Sequence, residues 1–440
     1  MSGGALIERI AAEHAAAEES LPSAVVTRAR RRHAIAALIA RGLPTTRDEN
    51  WRYANLRPLE RARFVPRAFA PAEWPADELP RALPGFSRYV FVDGVFAPAL
   101  SAAPPPGGRV SVRSLGAAAL AEPTGALEQP VDVAFGWLNE AFALDGVDIQ
   151  VAEPGADESP GEPACIELVF LAHRPATDGA SYPRVRVAAS PRGRLRLIER
   201  HCSAPDDSSF VIGSVDVTLG SGAHVDHYRI QQLGARAVWL DTLEARLARS
   251  ASYCLHGFAL GAQSARSTLR IELNGEGAEL AQHAVAVADR QQVQDSYTLV
   301  DHAAAHTRTA QSFRGIAAGR ARVAFNGKII VRPAARGTDS NQSLRGLLAG
   351  SEAEIDVRPQ LEIYTDDVRC SHGATAGKLD ENMLFYLLSR GLDPQVAQRL
   401  LKWAFLEDVV SKVDVPALRR QIEATLAAQM QDSHALQELL

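Results

Sequence analysis

Cys370 and His372 are the residues of this sequence whose types and spacing most clearly allow chemistry. They stand two positions apart, at the end of a stretch whose alternating pattern is typical of a β-strand. In an extended strand, residues i and i+2 point to the same face, so the sulfur and the imidazole would be neighbours. A thiolate and an imidazole can together ligate iron, zinc or copper, and they can also act as a nucleophile and its base.

The number of available ligands limits the metal hypothesis. A zinc site and an iron–sulfur cluster each usually take about four protein ligands, whereas this strand offers two. A stable metal site would therefore need distant residues or a second protein. The nucleophile hypothesis lacks an identifiable third group to orient the base, and a small buried thiol packed beside a hydrogen-bonded histidine stays open as a third interpretation.

Other histidines provide weaker metal signals. His224 with His227, and His302 with His306, have spacings that a metal site could use. Isolated pairs of this kind are more often packed or surface residues. The sequence assigns no role to these four histidines or to His256.

Several catalytic motifs are absent from the sequence. It has no Walker-type phosphate loop, no glycine-rich dinucleotide loop and no serine nucleophile elbow. Hydrolysis of nucleotide by this chain is therefore not expected. Asp366 and Asp367 could suggest the paired carboxylates of a β-helical enzyme acting on carbohydrate, but adjacent residues of a strand would face opposite sides.

Composition narrows the class of protein. The 440 residues are 46% hydrophobic and 22% charged, an ordinary globular balance, and the net charge of -5 gives no electrostatic case for nucleic acid or acidic membranes. No signal-peptide pattern and no apolar run long enough to span a membrane occur. Four scattered cysteines without a C-x-x-C pair favour reduced thiols and a cytoplasmic location.

The elements that must position Cys370 and His372 fall into three predicted regions. Residues 1–160 are a helical and mixed region, residues 161–375 contain many short strands separated by glycine-rich turns, and residues 376–440 are helical. The strand region could be a sandwich, a barrel or a β-solenoid. A solenoid is favoured because no long amphipathic helix interrupts about 200 residues and because helical ends protect the terminal coils of such folds.

The C-terminal region carries more apolar surface than one helix face requires. A helix over 394–413 begins at Asp393-Pro394, a capping residue followed by a first-turn proline. Its apolar side chains either pack on the β body or are covered in part by a partner. The candidate partner contacts are Leu400, Leu401, Trp403, Phe405, Val409 and Val410.

The segment 355–392 resembles the SufB/SufD family of scaffold proteins in the SUF iron–sulfur cluster assembly machinery. The most specific part is Cys-Ser-His-Gly-Ala-Thr at 370–375, which is similar to the D branch of the family, because the B branch has Glu-His-Glu-Ala-Thr there. The resemblance is weakest over 60–165. The other matching residues are 359–363, 366–368, 384–386, 389–391, 306–307, 313–315, 325–328, 342–343, 347–348, 42–44 and 49–51.

The resemblance implies a mainly β protein, with a right-handed parallel β-helix core between N-terminal and C-terminal α-helical regions. It implies a non-catalytic scaffold subunit that pairs with a SufB-like paralogue and binds a SufC-like ABC ATPase through its C-terminal helices. Iron acquisition and cluster formation would occur at the subunit interface. His372 is then the candidate iron ligand, with Cys370 as a second candidate ligand of the nascent cluster.

The same resemblance implies that iron or a transient iron–sulfur cluster is shared with the partner, and that the lone chain holds none stably. The isolated chain could form a homodimer. Two alternatives stay open at this stage, a β-helical carbohydrate-active enzyme and a metal-free homodimeric binding protein.

Overall fold

The computed structural model describes residues 3–66, 79–102, 109–117, 134–155, 161–173 and 176–430. Its helices are α1 (Gly3–Ala17), α2 (Arg28–Arg41), α3 (Ala134–Phe142), α4 (Glu381–Ser389), α5 (Pro394–Val410) and α6 (Pro416–Gln429). Its strands are β1 (Ser87–Val92), β2 (Val95–Phe96), β3 (Val110–Ser114), β4 (Val147–Val151), β5 (Ala164–Leu171), β6 (Arg184–Ala189), β7 (Arg194–Cys202), β8 (Phe210–Leu219), β9 (His224–Gln232), β10 (Val238–Leu247), β11 (Ser252–Ala259), β12 (Ser264–Leu273), β13 (Glu279–Ala288), β14 (Val293–His302), β15 (Arg308–Ala317), β16 (Arg322–Val331), β17 (Thr338–Leu348), β18 (Glu354–Ile363) and β19 (Val368–Gly377).

From β4 onward, successive strands alternate between two sheets. The odd-numbered strands β5 to β19, with β1 and β2, build a ten-stranded sheet that ends at β19. The even-numbered strands β4 to β18, with β3, build a nine-stranded sheet that ends at β18. Each strand from β4 to β17 pairs in parallel with the strand two positions along the chain. The chain therefore winds through both sheets and returns one layer further on, which is a β-solenoid. This confirms the predicted β-solenoid core, and its right-handed sense stays a prediction.

The interior of the solenoid is filled by alternate residues of every strand. Leu269, Ile271 and Leu273 of β12 are buried in the largest apolar cluster, which draws side chains from both sheets. Residues between them face outward, as the period of two in the sequence predicts. Position along a strand thus decides whether a side chain lies inside the solenoid or on an outer face.

The N-terminal helices cover the outer face of the nine-stranded sheet. Trp51 and Phe135 pack there with residues of α1, α2, β8 and β10. The guanidinium of Arg266 lies 4.2 Å from the Trp51 ring centroid and donates to the carbonyl of Asn50 at 2.8 Å. These contacts dock the segment 49–51 on the solenoid.

Strands β1 and β2 form an antiparallel hairpin whose turn is Asp93-Gly94. Both turn residues have positive φ, 48° and 84°, which is the geometry of a tight hairpin turn and suits glycine. Strand β1 pairs with β5 and β4 pairs with β6, so two strands upstream of residue 160 join the sheets. The domain boundaries at 160 and 375 stay predictions.

Helices α5 and α6 cover the outer face of the ten-stranded sheet. The Asp393 side chain caps α5 by accepting from the amides of Gln395 and Val396. At the other end of the helix, Arg314 of β15 forms an ion pair with Asp408. Among the described helices, none is long and apolar enough to cross a membrane.

The burial of α5 corrects part of the predicted partner surface. Trp403, Val409 and Val410 lie inside an apolar cluster formed by α5, α6 and the outer face of the sheet. They are unavailable to a partner in this arrangement, because they stabilise the helix on its own chain. The helix has two covered faces, which accounts for its wide apolar arc. Leu400, Leu401 and Phe405 are half-buried.

Candidate functional site

Cys370 and His372 lie on β19, the last strand of the ten-stranded sheet. Their register partners on β17 are Ser340 and Gln342, which are buried at 1% exposure. Cys370 packs against the apolar cluster of the solenoid interior. Since in-register residues of parallel strands share a face, Cys370 and His372 both face the inside of the solenoid, and the sequence-based expectation of a shared face is met.

The last coil, formed by β18 and β19, leaves this pair accessible. In the described part of the chain no strand pairs with the free edge of β19. His372 is exposed and Cys370 is half-buried. The inward residues of β17 are covered by those of β19, whereas no strand of the described residues covers the inward residues of β19.

Exposed apolar side chains lie close to the last coil along the chain. Tyr364 follows β18, and Met383, Phe385 and Tyr386 lie on α4 directly after β19, with Phe385 at 72% exposure. No residue of α4 is buried. Clustered exposed apolar residues of this kind usually mark a contact surface.

The thiol of Cys370 is not activated by its surroundings. Burial, followed by the nearby Asp339 carboxylate, raises the pKa of Cys370. A protonated thiol is a poor nucleophile, which disfavours the nucleophile hypothesis in the lone chain. Among the residues that the structure describes, no three His, Cys, Asp or Glu side chains are grouped to hold a metal ion. The pair therefore stays at two ligands.

Polar contacts hold the last coil in place. The Asn341 amide on β17 donates to the Ser371 hydroxyl at 2.8 Å, on the outer face. On β18, Arg358 forms an ion pair with Glu49 of the N-terminal region. These contacts hold β18 and β19 in place and involve neither Cys370 nor His372.

The structure separates the two predicted histidine pairs. His227 faces inward between the Tyr253 hydroxyl at 2.9 Å and the Glu199 carboxylate at 3.0 Å. His224 contacts Asp226 at 3.1 Å, and it points to the opposite face because it is three residues away. Both rings have protein partners and point to opposite faces, so the nitrogens of His224 and His227 do not converge on a common metal position.

His302 and His306 are also apart. The His302 ring is buried between the hydroxyls of Thr307 at 2.8 Å and Thr309 at 3.0 Å. His306 lies in the turn after β14 with φ of 58°. Burial lowers the pKa of His302 to about 4, so it is a neutral, packed histidine.

The solenoid interior contains a ladder of hydrogen-bonded glutamines that the sequence pattern did not predict. Gln282, Gln311 and Gln342 occupy the same column on β13, β15 and β17, and their amides are hydrogen-bonded to one another. They are 29 and 31 residues apart in sequence, close to one coil. This recurrence is visible in the sequence only when the coil length is known. The next residue of the column is His372.

A family comparison decides what kind of solenoid this is. Residues 171–405 match the family described as "SUF system FeS cluster assembly, SufBD core domain". The matched region begins at the end of β5 and includes both Cys370 and His372.

The chain belongs to the SufBD family. It is similar to the iron–sulfur cluster assembly protein SufD of Escherichia coli, with 29% identity over 89% of this chain and 90% of that protein. It is also 28% identical to a SufBD family protein of Synechocystis, over 86% of each chain. A SufBD family protein of Mycobacterium leprae is 28% identical over 51% of this chain and 66% of its own length.

Membership of the SufBD family confirms the resemblance carried by the 355–392 segment. The similarity to SufD covers most of the chain, so this is a SufD-like protein of the SUF system with a role in iron–sulfur cluster assembly. The family core spans the solenoid from β5 to the last coil and reaches into α5. The open end of the solenoid is therefore inside the family core, and not an addition to it.

Proposed function

We propose that this SufBD chain is a non-catalytic scaffold subunit, and that iron or a nascent iron–sulfur cluster is its cargo. The main support is that Cys370 and His372 lie on the uncovered last coil and face the interior of the solenoid. Two side chains cannot complete a cluster site that usually takes about four ligands. A second subunit docked on this end would supply the others.

The partner at the open end is a SufB-like paralogue. No strand of the described residues pairs with the outer edges of β18 and β19, and free strand edges readily pair with another chain. Docking there would also bury the exposed side chains of Ile363 and Tyr364. A second copy of this chain could use the same surface when the paralogue is absent, which makes a homodimer part of the proposal for the isolated protein.

The second partner is a SufC-like ABC ATPase bound to the C-terminal helices. Support comes from Met383 and Phe385 of α4, which are exposed, and from Leu400 and Leu401 of α5, which are half-buried. ATP hydrolysis is assigned to that partner, because the sequence of this chain has no phosphate-binding loop. We place the assembly in the cytoplasm.

The ligand role is tested by His372→Ala in the complex co-purified with its partners. Complex formation should be retained, and the iron and acid-labile sulfide on the complex should fall several-fold. Ser371→Ala is the matched control, because Ser371 is the neighbouring residue on the outer face. Unchanged cluster content in His372→Ala would overturn the ligand role.

The ATPase contact is tested by Phe385→Asp, since a charge at this exposed position disturbs no buried packing. Capture of the ATPase subunit in a pull-down should be lost, while the thermal unfolding midpoint of the lone chain should stay unchanged. Retained capture would contradict the assignment of α4 to this partner. The Ile39→Asp variant, also at an exposed apolar position but on α2, serves as the control.

The carbohydrate-enzyme alternative gains no support from the structure. Asp366 and Asp367 lie in the turn between β18 and β19, and not within a strand as the sequence argument assumed. That turn is a surface connection at the solenoid edge. The metal-free homodimer differs from the proposal in its partner and in its lack of cargo, and the iron and sulfide assay on the co-purified complex separates the two.

A further inference from the structure

The glutamine ladder in the solenoid interior has a fixed direction. Nε2 of Gln311 donates to Oε1 of Gln282, and Nε2 of Gln342 donates to Oε1 of Gln311, each at 2.6 Å. Nε2 of Gln282 donates to the Thr298 hydroxyl at 3.0 Å. Between these layers, therefore, the amide nitrogens of Gln311 and Gln342 point away from the last coil, and the amide oxygens of Gln282 and Gln311 each accept from the next layer toward it.

The amide of Gln342 cannot turn around. Its Nε2 also donates to the carbonyl of Gly327 at 3.1 Å, so both of its N–H groups are used. A Cβ at position 327 would lie 2.8 Å from Nε2 of Gln342, which shows how closely the glycine backbone fits the amide. Oε1 of Gln342 is left as an acceptor that needs a donor.

That oxygen is the unfilled end of the ladder. Oε1 of Gln342 is buried, and it has no hydrogen-bond partner among the residues that the structure describes. A buried acceptor without a partner costs about 1–3 kcal/mol. The pattern of the previous two layers directs it toward β19, where the in-register residue is His372. The structure shows no hydrogen bond between Oε1 of Gln342 and His372. Adjacent strands are about 4.8 Å apart, so a change of the His372 rotamer would bring an imidazole N–H within reach.

We propose that Gln342 is a positioning residue for His372. One protonated ring nitrogen of His372 donates to Oε1 of Gln342, and the other nitrogen carries its lone pair toward the open end. The inference rests on the proposed function, because it gives the hydrogen bond a purpose at the cargo site. Metal-binding histidines generally donate their second ring N–H to a fixed acceptor, which sets tautomer and orientation.

The ladder makes the acceptor rigid. Gln282, Gln311 and Gln342 are 3%, 1% and 1% exposed, and each is held by its neighbour. An exposed histidine on an edge strand would otherwise sample several rotamers. The buried column thus extends order from the middle of the solenoid to a side chain at its surface.

The test uses the full chain labelled with ¹⁵N-histidine. Imidazole N–H protons exposed to water exchange quickly, whereas a hydrogen-bonded one gives an observable ¹H–¹⁵N signal. A signal assigned to His372, by its disappearance in His372→Asn, is expected in the wild type. It should be lost in Gln342→Met and kept in Asn341→Ala, the control on the outer face of the same strand.

Gln342→Glu separates the acceptor from the ladder donors. This variant loses the same two N–H groups as Gln342→Met but keeps an oxygen at the end of the side chain. The His372 N–H signal should therefore be retained in Gln342→Glu. Absence of the signal in the wild type, or its persistence in Gln342→Met, would overturn the proposal.

The result of the N–H experiment does not depend on whether the protein carries iron or a cluster. The N–H signal reports a contact within the lone chain, whereas His372→Ala in the complex reports cluster formation. Loss of cluster in His372→Ala with no N–H signal in the wild type would retain the proposed function and reject Gln342 as its positioning residue. If the N–H signal behaves as expected but His372→Ala leaves the cluster content unchanged, the ligand role fails and the hydrogen bond stands.

Discussion

The pattern Cys-x-His occurs twice in this molecule, and the two copies differ in almost everything except spacing. Cys254 and His256 lie on β11 in the middle of the solenoid, with Sγ and Nε2 3.3 Å apart. The His256 ring stacks on Tyr228 at 4.7 Å, and Tyr228 belongs to the cluster covered by α5 and α6. Cys370 and His372 lie on the uncovered last coil and face the interior.

The chemical state of the middle pair follows from its burial. Burial, followed by the neighbouring His283, lowers the pKa of His256 to about 3. Burial, followed by the nearby carboxylates of Asp226 and Asp414, raises the pKa of the Cys254 thiol to about 12. Both groups are neutral and packed. Residue type and spacing are therefore insufficient to define a ligand pair, and position in the stack of coils decides whether another molecule can reach it.

The largest expected difference between the two regions is in packing energy. Leu255 is fully buried on β11, whereas Leu361 is half-buried on β18. Leu255→Ala should lower the free energy of unfolding by about 2–5 kcal/mol, and Leu361→Ala by about 1 kcal/mol because its site is already partly open. Urea unfolding of the lone chain measures both. Equal losses would contradict the distinction between a closed middle and an open end.

In the closed middle of the solenoid, the buried His302 should make the free energy of unfolding decrease as the pH falls. The pKa of His302 is about 4 in the folded chain because of burial, and about 6.5 when unfolded. The unfolded state therefore binds the proton first, so this contribution to stability is complete above pH 6.5 and is lost as the pH falls toward 4. The loss is on the order of 2–3 kcal/mol at pH 4.

The contribution is measured from urea unfolding midpoints between pH 7 and pH 4. His302→Gln cannot titrate there, so its stability should fall less steeply with decreasing pH than that of the wild type. Identical slopes would show that His302 is not held neutral. The comparison of slopes is unaffected by any constant loss of stability that the substitution causes.

The smallest expected difference concerns the two thiols. At pH 8 the Cys254 thiol is almost entirely protonated, given its pKa of about 12. Iodoacetamide should modify Cys370 at least about tenfold faster than Cys254, since only the thiolate reacts and Cys370 lies at the open end. Peptide mass spectrometry of briefly treated protein gives both rates in one sample. Equal rates would mean that the last coil protects its thiol as well as the middle does.

Alternating inward and outward residues, clean in segments such as β12, predicted strands, and the absence of a long amphipathic helix over about 200 residues, with helical ends, favoured a solenoid. The sequence did not reveal the coil period, because a column tolerates very different side chains at successive layers. Apolar and polar residues fill the same inward position equally well when a polar one finds a hydrogen bond. The column that ends at the candidate site reads Leu197, His227, Leu255, Gln282, Gln311, Gln342 and His372.

Helix α5 shows a second limit of structure prediction from the sequence pattern. Its apolar arc predicted a contact surface, but the pattern could not distinguish a partner from the chain itself. Val409 and Val410 face the solenoid and α6, whereas Leu400 and Leu401 stay partly accessible. Only the three-dimensional arrangement tells which apolar residues are already covered.

The stacking of coils also fixes distances along the solenoid axis. Helix α5 is tied to β15 through Arg314 and Asp408, and β19 lies two layers beyond β15 in the same sheet. Layers are spaced about 4.8 Å apart, so these two features are separated by roughly 10 Å along the solenoid axis. A homologue can change this separation only by gaining or losing a whole coil. The distance between the helical surface and His372 is thus set in discrete steps, and insertions within a turn leave it unchanged.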